Sequence, residues 1–343
     1  MNTSKLSVVA ASLLTFAVTA SAVDMSSVKI DGYLVGSYGY EKPKVGASVQ
    51  GAFQAPAYTA VLGNGDAARV NISAKDGKVS GNISLYYVPN LAFDALGILD
   101  AYVTVGLDSG WSVTAGKFYG PFGYEVFDSP GMSAITYGNG QNTLIPANDN
   151  TGIRLDYAEK SWSANIALVD SLYNTHGNVF AIQDKDGEFT NTKALDVSLT
   201  YKGIQDLTLF VAYGYQDKGV AGGYAGASAK SISLYDVWAS YTISADLVGA
   251  LEFVHSTNSQ DSGKSSSQWL GTLNYAWDKQ ISTAFRVGYN TDDDVVAGIS
   301  ATQYTIAPAY KVSDHFTVRG EFSHMSNAAG STNFFGLQGV FTF

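Results

Sequence analysis

The stretch that decides the fold class is residues 334–343, which read FFGLQGVFTF. Apolar side chains occupy every second position, and smaller or polar side chains stand between them. One set is Phe335, Leu337, Gly339, Phe341 and Phe343, and the other is Gly336, Gln338, Val340 and Thr342. Because successive side chains of an extended strand point to opposite faces, this alternation predicts a β-strand with one apolar face.

The same alternation recurs along the whole chain in about sixteen segments. In segment 98–107, for example, Leu99 and Val103 belong to the apolar face, whereas Asp100 and Thr104 belong to the other. The segments lie at 28–40, 67–75, 78–88, 98–107, 110–117, 150–159, 161–170, 194–202, 206–215, 232–243, 246–256, 266–276, 279–289, 303–312, 314–324 and 334–343. Most have about the 9 to 11 residues that a tilted strand needs to cross a bilayer.

The connections between these segments alternate in length, which predicts the topology. Tight turns such as Asp76-Gly77 and Ser109-Gly110 alternate with longer and more polar segments. Bacterial outer-membrane barrels combine short periplasmic turns with long external loops. The sequence therefore predicts an all-β chain that forms a transmembrane, antiparallel, up-and-down β-barrel of about sixteen strands.

The composition agrees with a sheet that has one lipid-facing and one polar face. Hydrophobic residues make up 46% of the chain, yet no long apolar run follows residue 22. Charged residues make up 15%, below the roughly 25% of typical soluble domains. The net charge of −10 argues against nucleic acid as a partner, because phosphate binding needs a basic surface.

Aromatic residues of the apolar face are sorted by depth. Those near the tight turns are Trp111, Tyr157, Trp162, Tyr201, Tyr241, Tyr275, Tyr310 and Phe316. Those near the longer connections are Tyr38, Tyr87, Tyr213, Tyr235, Trp269, Tyr289, Tyr304 and Phe322. Tyr and Trp prefer the headgroup level of a membrane, so two aromatic girdles around an aliphatic band indicate a bilayer.

The first 22 residues predict a signal peptide. Lys5 precedes an apolar core at Leu6–Val18, and Ala20-Ser21-Ala22 is a small-x-small cleavage signal. The core is shorter than the roughly 20 residues of a spanning helix. We therefore expect residues 1–22 to be removed during export and residues 23–343 to form a single transmembrane barrel in the bacterial outer membrane.

Charged residues on the inward face predict a polar lumen, and about sixteen strands leave an aqueous channel. The inward charges that we take as pore-lining are Arg69, Asp100, Arg154, Asp156, Asp236, Glu252, Arg286, Arg319 and Glu321. Because both signs occur in similar number, we expect little ion selectivity. Lys117 does not fit the pattern, because it shares parity with Val113 and Ala115. This position therefore lies either past a strand end or at a bulge.

The longest connection is residues 118–149, which we predict to be the third external loop. In one arrangement it folds into the barrel as a constriction, with its aromatic residues on the wall and Glu125 and Asp128 toward the channel. Tyr119 and Tyr124 are the further constriction candidates. In the other arrangement the loop packs over the mouth. Charged rings set selectivity in such constrictions, so acidic loop residues facing Arg154, Arg286 or Arg319 would create a transverse field.

The same region carries a family resemblance. The stretch AGKFYGPFGYEVFDSP at Ala115–Pro130, followed by Pro146–Gly152 entering a strand, resembles the OmpL-like outer-membrane β-barrel porins. The segments IDGYLVGSYGY and LDAYVTVGL also resemble strands of that family. The resemblance implies a porin role without naming a substrate. Members often carry a His before the Thr-Gly that enters the next strand, whereas this chain has Asn150 there.

These observations predict an outer-membrane porin for passive diffusion of small hydrophilic solutes and ions. The expected partners are outer-membrane lipid and lipopolysaccharide, the solutes, and the barrel-assembly machinery, whose signal the C-terminal Phe343 resembles. A homotrimer is expected by analogy with other sixteen-stranded porins. We expect no enzyme activity, no cofactor and no metal site.

Three alternatives stay open. One is a substrate-specific channel for sugars or anions, and another is a structural or adhesive barrel that works through its loops. The third is an outer-membrane lipid hydrolase. His255 and His324 have outward parity near external strand ends, with Ser267 and Ser233 on the strands that flank His255. No spacing motif joins them into a nucleophile, base and orienting group.

Overall fold

A computed structural model gives one closed barrel, and it describes residues 27–43, 67–88, 95–125, 129–138, 149–170, 172, 194–217, 231–257, 265–292, 300–327 and 330–343. Sixteen strands follow one another and pair antiparallel with their neighbours. They are β1 Val28–Pro43, β2 Ala67–Asp76, β3 Val79–Val88, β4 Ala95–Gly106, β5 Trp111–Tyr119, β6 Asp149–Ala158, β7 Trp162–Val169, β8 Ala194–Ile204, β9 Leu207–Gln216, β10 Ile232–Ser244, β11 Leu247–Thr257, β12 Ser265–Ala276, β13 Ile281–Asp292, β14 Ala301–Ser313, β15 Phe316–Asn327 and β16 Gly330–Thr342. The predicted fold class and strand number are confirmed. Among the described residues, no helix has the length and apolar character needed to cross a membrane.

The C-terminal stretch closes the barrel by pairing β16 with β1. Leu34 stands opposite Phe341 in this pair, and Ser37 stands opposite Gln338. Gly32 and Phe343 exchange two backbone hydrogen bonds, each 3.1 Å from nitrogen to oxygen. The closed ladder leaves no unpaired sheet edge, which is what a spanning β-structure requires in lipid.

The alternation in β16 separates an outer from an inner face, as predicted. Leu337 is 56% exposed on the outside, whereas its neighbour Gln338 is 1% exposed on the inside. The turn-end aromatics also meet on the outside: Tyr157 lies 4.6 Å from Trp111 and 4.7 Å from Trp162 between ring centroids. The outer surface is therefore a continuous apolar band.

Seven short connections lie at the end of the barrel that holds both termini, which we call the turn end. They are two to four residues long, from Gly77-Lys78 to Asp314-His315. Gly77 adopts a positive φ of 56°, which L residues with a Cβ rarely adopt. The opposite end, the loop end, carries the longer connections. Its last connection departs from the prediction, because β15 and β16 extend to within two residues of each other.

The pattern in β4 departs from the prediction at one position. The β3–β4 register shifts between Ser84 and Leu85, and the extra residue on β4 is Leu99. Leu99 is 2% exposed, so it is not on the lipid face where strict alternation placed it, and Ile98 takes that face at 38%. A bulge inserts one residue into one strand and shifts the side-chain parity beyond it.

Lys117 lies within β5 and not past its end, and β5 pairs with both neighbouring strands in continuous register there. Lys117 Nζ donates a hydrogen bond of 3.0 Å to the Ile98 carbonyl oxygen, at the bulge. The preceding Gly116 has a φ of 130°, and a Cβ atom there would lie 2.3 Å from the Ala101 carbonyl oxygen. Lys117 is thus neither past the strand end nor at a bulge of its own strand, and it lies beside the bulge of the neighbouring strand β4.

Candidate functional site

The third long connection, between β5 and β6, turns into the barrel. Because β5 ends at Tyr119 and β6 begins at Asp149, it comprises residues 120–148 and not 118–149. Its described residues form an outgoing arm, 120–125, a short 3-10 turn at Ser129–Gly131, and a returning arm, 132–138. Both arms hydrogen-bond to inward side chains of the wall. Of the two arrangements that the sequence left open, the arms adopt the one inside the barrel.

Apolar packing holds the outgoing arm against β7–β11. Phe122 is 3% exposed and belongs to a buried cluster with Phe118, Leu172 and inward residues of the wall. It lies over Gly214 of β9, where an added Cβ atom would come within 2.9 Å of Phe122 Cζ. Gly214 therefore permits an approach of the arm that a larger residue would block.

An aromatic stack continues this contact along the wall. The rings of Phe210 and Trp238 are stacked with centroids 4.9 Å apart and planes 15° apart. Tyr124 of the outgoing arm meets Trp238 edge-on at 5.3 Å. We did not single out Phe210 or Trp238 from the sequence, although Trp238 shares the inward parity of Asp236. The signal in the sequence was that both residues are large aromatics at inward positions. Such residues are expected to face a packed segment and not water.

Two wall carboxylates accept backbone N–H groups of the outgoing arm. Gly123 N donates to Asp236 Oδ2 at 2.7 Å, and Tyr124 N donates to Glu252 Oε1. Asp236 is 0% and Glu252 4% exposed. A segment that leaves regular structure must find partners for its backbone groups when it is buried, and these two carboxylates supply them.

Glu125 joins the two arms to β13. Arg286 Nη1 donates to Glu125 Oε1, and Gly138 N of the returning arm donates to Glu125 Oε2 at 2.6 Å. The side chains of Arg286 and Glu125 are 1% and 8% exposed. Glu125 therefore faces the wall and not the channel, which corrects the expectation from the sequence. Arg286 forms an ion pair with Glu125 and neutralises its charge. Glu125 therefore adds little to an electric field across the lumen.

Glu321 of β15 holds the returning arm. Ile135 N and Thr136 N both donate to its Oε2, at 2.6 Å and 2.9 Å, and Thr136 Oγ1 donates to its Oε1. Arg286 Nη2 lies 3.8 Å from Glu321 Oε1. Next to it, Arg319 Nη1 donates to the Ser129 and Ala134 carbonyl oxygens of the loop, at 3.1 Å and 3.3 Å. The wall of β10–β16 thus uses its charged residues to bind a folded loop.

The wall of β1–β6 pairs its arginines with its own acids. On β8, by contrast, neither carboxylate oxygen of the buried Asp196 has a hydrogen-bond partner among the described residues. Arg69 Nη2 lies 2.7 Å from Asp100 Oδ2, and the two side chains are 8% and 2% exposed. Ser84 Oγ accepts from Arg69 and donates to Asp100, at 2.9 Å and 2.7 Å. Asn82 Nδ2 donates to Asp100 Oδ1. The neutral members of this network, Asn82 and Ser84, could have been found by their inward parity beside Arg69 and Asp100.

Two further ion pairs of the same wall are open to solvent. Arg154 Nε lies 2.8 Å from Asp156 Oδ1, with both side chains 25% exposed. Lys29 Nζ lies 2.9 Å from Asp31 Oδ2, with side chains 75% and 34% exposed. In both pairs the cation therefore stands beside an anion.

The remaining sequence-predicted residues lie at the edge of the site. Tyr119 is the last residue of β5, and its carbonyl oxygen accepts from Arg154 Nη1 at 3.2 Å. Arg154 pairs with Asp156 and Arg286 with Glu125, so only one of the three proposed arginine partners meets an acidic loop residue. Asp128 lies outside the described residues.

The outer face brings together one pair considered for lipid hydrolysis. His255 Nδ1 lies 2.8 Å from Ser267 Oγ, on adjacent strands β11 and β12. Ser233 instead donates its backbone N–H to Thr257 Oγ1, at 3.1 Å. His324 Nδ1 lies 2.7 Å from Asn333 Oδ1. Within the described ranges, no carboxylate hydrogen-bonds to His255 and so none orients its ring.

The closed sixteen-stranded barrel, its apolar outer band and its in-folded third loop define an outer-membrane-type channel barrel. The chain belongs to the family described as "Putative beta-barrel porin-2, OmpL-like", whose model matches residues 27–341. The resemblance in the sequence is thereby confirmed. No curated protein sequence matches the chain.

Solved porin structures share the fold at low sequence identity. The anion-selective porin from Comamonas acidovorans is 13% identical, with a TM-score of 0.63 over 92% of this chain and 99% of that one. OprB of Pseudomonas putida is 12% identical, with a TM-score of 0.65 over 93% and 95%. The outer-membrane channel DcaP of Acinetobacter baumannii is 13% identical, with a TM-score of 0.62 over 94% and 99%. At this identity the likeness shows a common fold.

Proposed function

We propose that the protein is an outer-membrane porin through which small hydrophilic solutes and ions diffuse passively. The observation that carries the proposal is the difference between the two walls. Arg286 and Glu321 side chains are 1% and 0% exposed behind the loop, whereas Arg154 and Asp156 are each 25% exposed. Water therefore has room beside Arg154 and Asp156 of β6, whereas the loop excludes it from Arg286 and Glu321. The solute path runs between the arms of the loop and the wall of β1–β6.

The loop acts as the constriction in this proposal. Its arms occupy lumen cross-section, and their hydrogen bonds to Asp236, Glu252 and Glu321 hold them there against thermal motion. Of the pore-lining candidates, Arg154 and Asp156 face the path. The side chains of Arg69 and Asp100 are buried in the wall beside the path. The candidates on β10–β15 act by positioning the loop.

The charges along the path favour weak ion selectivity. Arg154 with Asp156 and Lys29 with Asp31 are neutral pairs, so neither leaves an unbalanced ring of charge. One porin that shares the fold is described as anion-selective. Whether any residual ion preference of this channel favours anions or cations is to be measured.

Planar-bilayer conductance of the refolded protein tests the proposal. We expect stepwise conductance and a reversal potential close to zero across a salt gradient. Absence of conductance steps from correctly folded protein would overturn the porin function. A large reversal potential would overturn the claim of charge balance while leaving the channel intact.

The location and assembly follow from the same proposal. We expect export by residues 1–22, insertion by the barrel-assembly machinery, and contact with lipopolysaccharide around the outer band. N-terminal sequencing of protein extracted from outer membranes should then begin at Val23. The mass of the detergent-extracted particle tests the homotrimer expected by analogy.

We propose a channel and not an enzyme, but one contact keeps lipid hydrolysis as the second candidate. His255 and Ser267 are in hydrogen-bond contact on the lipid-facing surface, which is the geometry of a base and a nucleophile. Hydrolysis of detergent-dispersed phospholipid that is lost in His255→Ala would support this candidate. No hydrolysis by the wild-type protein would remove it.

A further inference from the structure

The chain contains four arginines, all in described strands, and one of them lacks an ionic partner. Arg69 pairs with Asp100, Arg154 with Asp156, and Arg286 with Glu125. Arg319 of β15 has no carboxylate oxygen within the 4.0 Å of an ion pair among the described residues. A buried charge is normally paired, because removing it from water is costly. Arg319 is 5% exposed and therefore stands out.

The hydrogen bonds of Arg319 leave part of its guanidinium unused. Nη1 donates to the Ser129 carbonyl oxygen at 3.1 Å, the Ala134 carbonyl oxygen at 3.3 Å and Gln338 Oε1 at 3.2 Å. All three acceptors are uncharged. Nε is buried and has no hydrogen-bond partner. One edge of the guanidinium therefore positions the loop, while its positive charge is not neutralised by contact.

Glu321, two residues from Arg319 on the same face of β15, is already engaged. It accepts from Ile135 N, Thr136 N and Ser323 Oγ and lies 3.8 Å from Arg286. These contacts hold its carboxylate toward the returning arm. The charge of Glu321 is thus shared with another arginine and with the loop backbone.

Arg319 lines a cavity of about 390 Å³ between the loop and the turn-end part of the wall. The other polar side chains of its lining include Ser133 of the loop, Asn274 of β12, Ser282 of β13 and Thr317 of β15. The one acidic residue of the lining is Asp246, an exposed residue in the β10–β11 turn. The cavity thus combines one unpaired cation with neutral groups that donate hydrogen bonds.

A second cavity on the other side of Pro130 provides the contrast. It has a volume of about 460 Å³ and is lined by Asp31, Asn71 and Thr342 among others. Its charged residue is an acid, and Lys29 pairs with that acid at 2.9 Å. The buried cation without an ionic partner therefore lines the Arg319 cavity and not the neighbouring one.

We propose that the Arg319 cavity is a binding site for a small oxyanion, such as a phosphate, sulfate or carboxylate group of a passing solute. Guanidinium binds such groups through charge-assisted hydrogen bonds, and hydroxyl and amide donors complete the shell. The site lies on the periplasmic side of the loop, so it would retain anions that have passed the constriction. The inference rests on the proposed function in naming a solute class for the channel.

Inorganic phosphate is the probe, and two independent measurements separate this site from the pore. The first is the phosphate concentration that half-blocks chloride conductance when phosphate is added from the periplasmic side in a planar bilayer. The second is phosphorus-31 line broadening with detergent-refolded protein, which needs no conductance. We expect Arg319→Gln to raise the half-blocking concentration by about tenfold or more, since a hydrogen bond to a charged group is lost.

A second variant guards against an indirect effect through the loop. Asn274→Leu changes the cavity but no hydrogen bond to the loop, and we expect a smaller rise of about threefold. Lys202→Gln removes one exposed charge outside the cavity and should leave the block unchanged. Unaltered block and line broadening in both Arg319→Gln and Asn274→Leu would overturn the site. Missing conductance steps with intact line broadening would overturn the channel and leave the site standing.

Discussion

The walls formed by β1–β6 and by β10–β16 are built from the same alternating strands, yet they use their charges differently. On β10–β15, Asp236, Glu252, Arg286 and Glu321 each contact the third loop and are covered by it. On β2–β6, Arg69 and Arg154 pair with acids of their own wall. An inward charge in a barrel therefore has two uses, and parity alone does not separate them.

The difference has an energetic side. A carboxylate that accepts buried backbone N–H groups cannot be removed without leaving those groups unpaired, which is costly. A pair that faces water loses little when one member is neutralised, because the solvent replaces it. The loop-bound wall should therefore control stability and pore size, and the open wall should control selectivity.

The largest effect should come from removing the loop. Deleting residues 121–147 uncovers the wall of β10–β16 and widens the lumen, so we expect the single-channel conductance to rise about two- to threefold. Circular dichroism should still report a folded barrel, because residues 120–125 and 129–138 of the loop supply no strand. Unchanged step size in a folded deletion variant would contradict the placement of the loop in the path.

The next effect is the loss of a loop anchor. Glu321→Ala leaves the N–H groups of Ile135 and Thr136 without their acceptor, and we expect the free energy of unfolding in urea to fall by about 3 kcal/mol. Asp31→Ala on the open wall is the matched change and should cost less than about 1 kcal/mol. Equal losses in the two variants would erase the distinction between the walls.

A smaller effect concerns selectivity. Asp156→Asn leaves Arg154 unbalanced beside the path, so we expect the reversal potential to move a few millivolts toward anion preference with little change in stability. Asp236→Asn removes a charge of the same sign behind the loop. Because Asp236 is covered, its variant should shift the reversal potential less. A larger shift from Asp236→Asn than from Asp156→Asn would contradict a solute path beside β6.

The smallest effect belongs to a turn outside both walls. The backbone N–H groups of Gln280 and Ile281 donate to Asp278 Oδ1, each at 2.7 Å, and lower the pKa of that carboxyl from its ordinary 3.8. A lowered pKa means that the stabilisation is complete above the ordinary value and is lost as pH falls through the lowered one. Asp278→Ala should therefore be slightly less stable than wild type near neutral pH. Urea unfolding in strong acid should show no difference, and a difference that persists there would contradict the assignment.

The architecture was accessible from the sequence because it rests on local rules. The side chains of a strand alternate, and lipid excludes charge from one face, so the pattern of residues such as Leu337 and Gln338 predicts both the strand and its outer side. The exceptions are local as well. Leu99 breaks the pattern because a bulge inserts one residue into β4. No feature of the segment 98–107 predicts this bulge.

The site was less accessible because its partners lie far apart in the chain. Glu125 meets Arg286, 161 residues away, and Thr136 meets Glu321, 185 residues away. The sequence showed that these residues face inward and that a long loop was available. It could not show that Glu125 turns to the wall, since that depends on where Phe122 finds space over Gly214.

The sequence by itself determined the sixteen strands, their inner and outer faces and the depth of the aromatic girdles, because period-two alternation and lipid contact act on neighbouring residues. Only the tertiary structure decided which inward charges bind the loop, which pair with one another, and that Arg319 keeps an unneutralised charge beside a cavity. Those outcomes depend on the path of one loop across the lumen, and that path is set by contacts between distant strands.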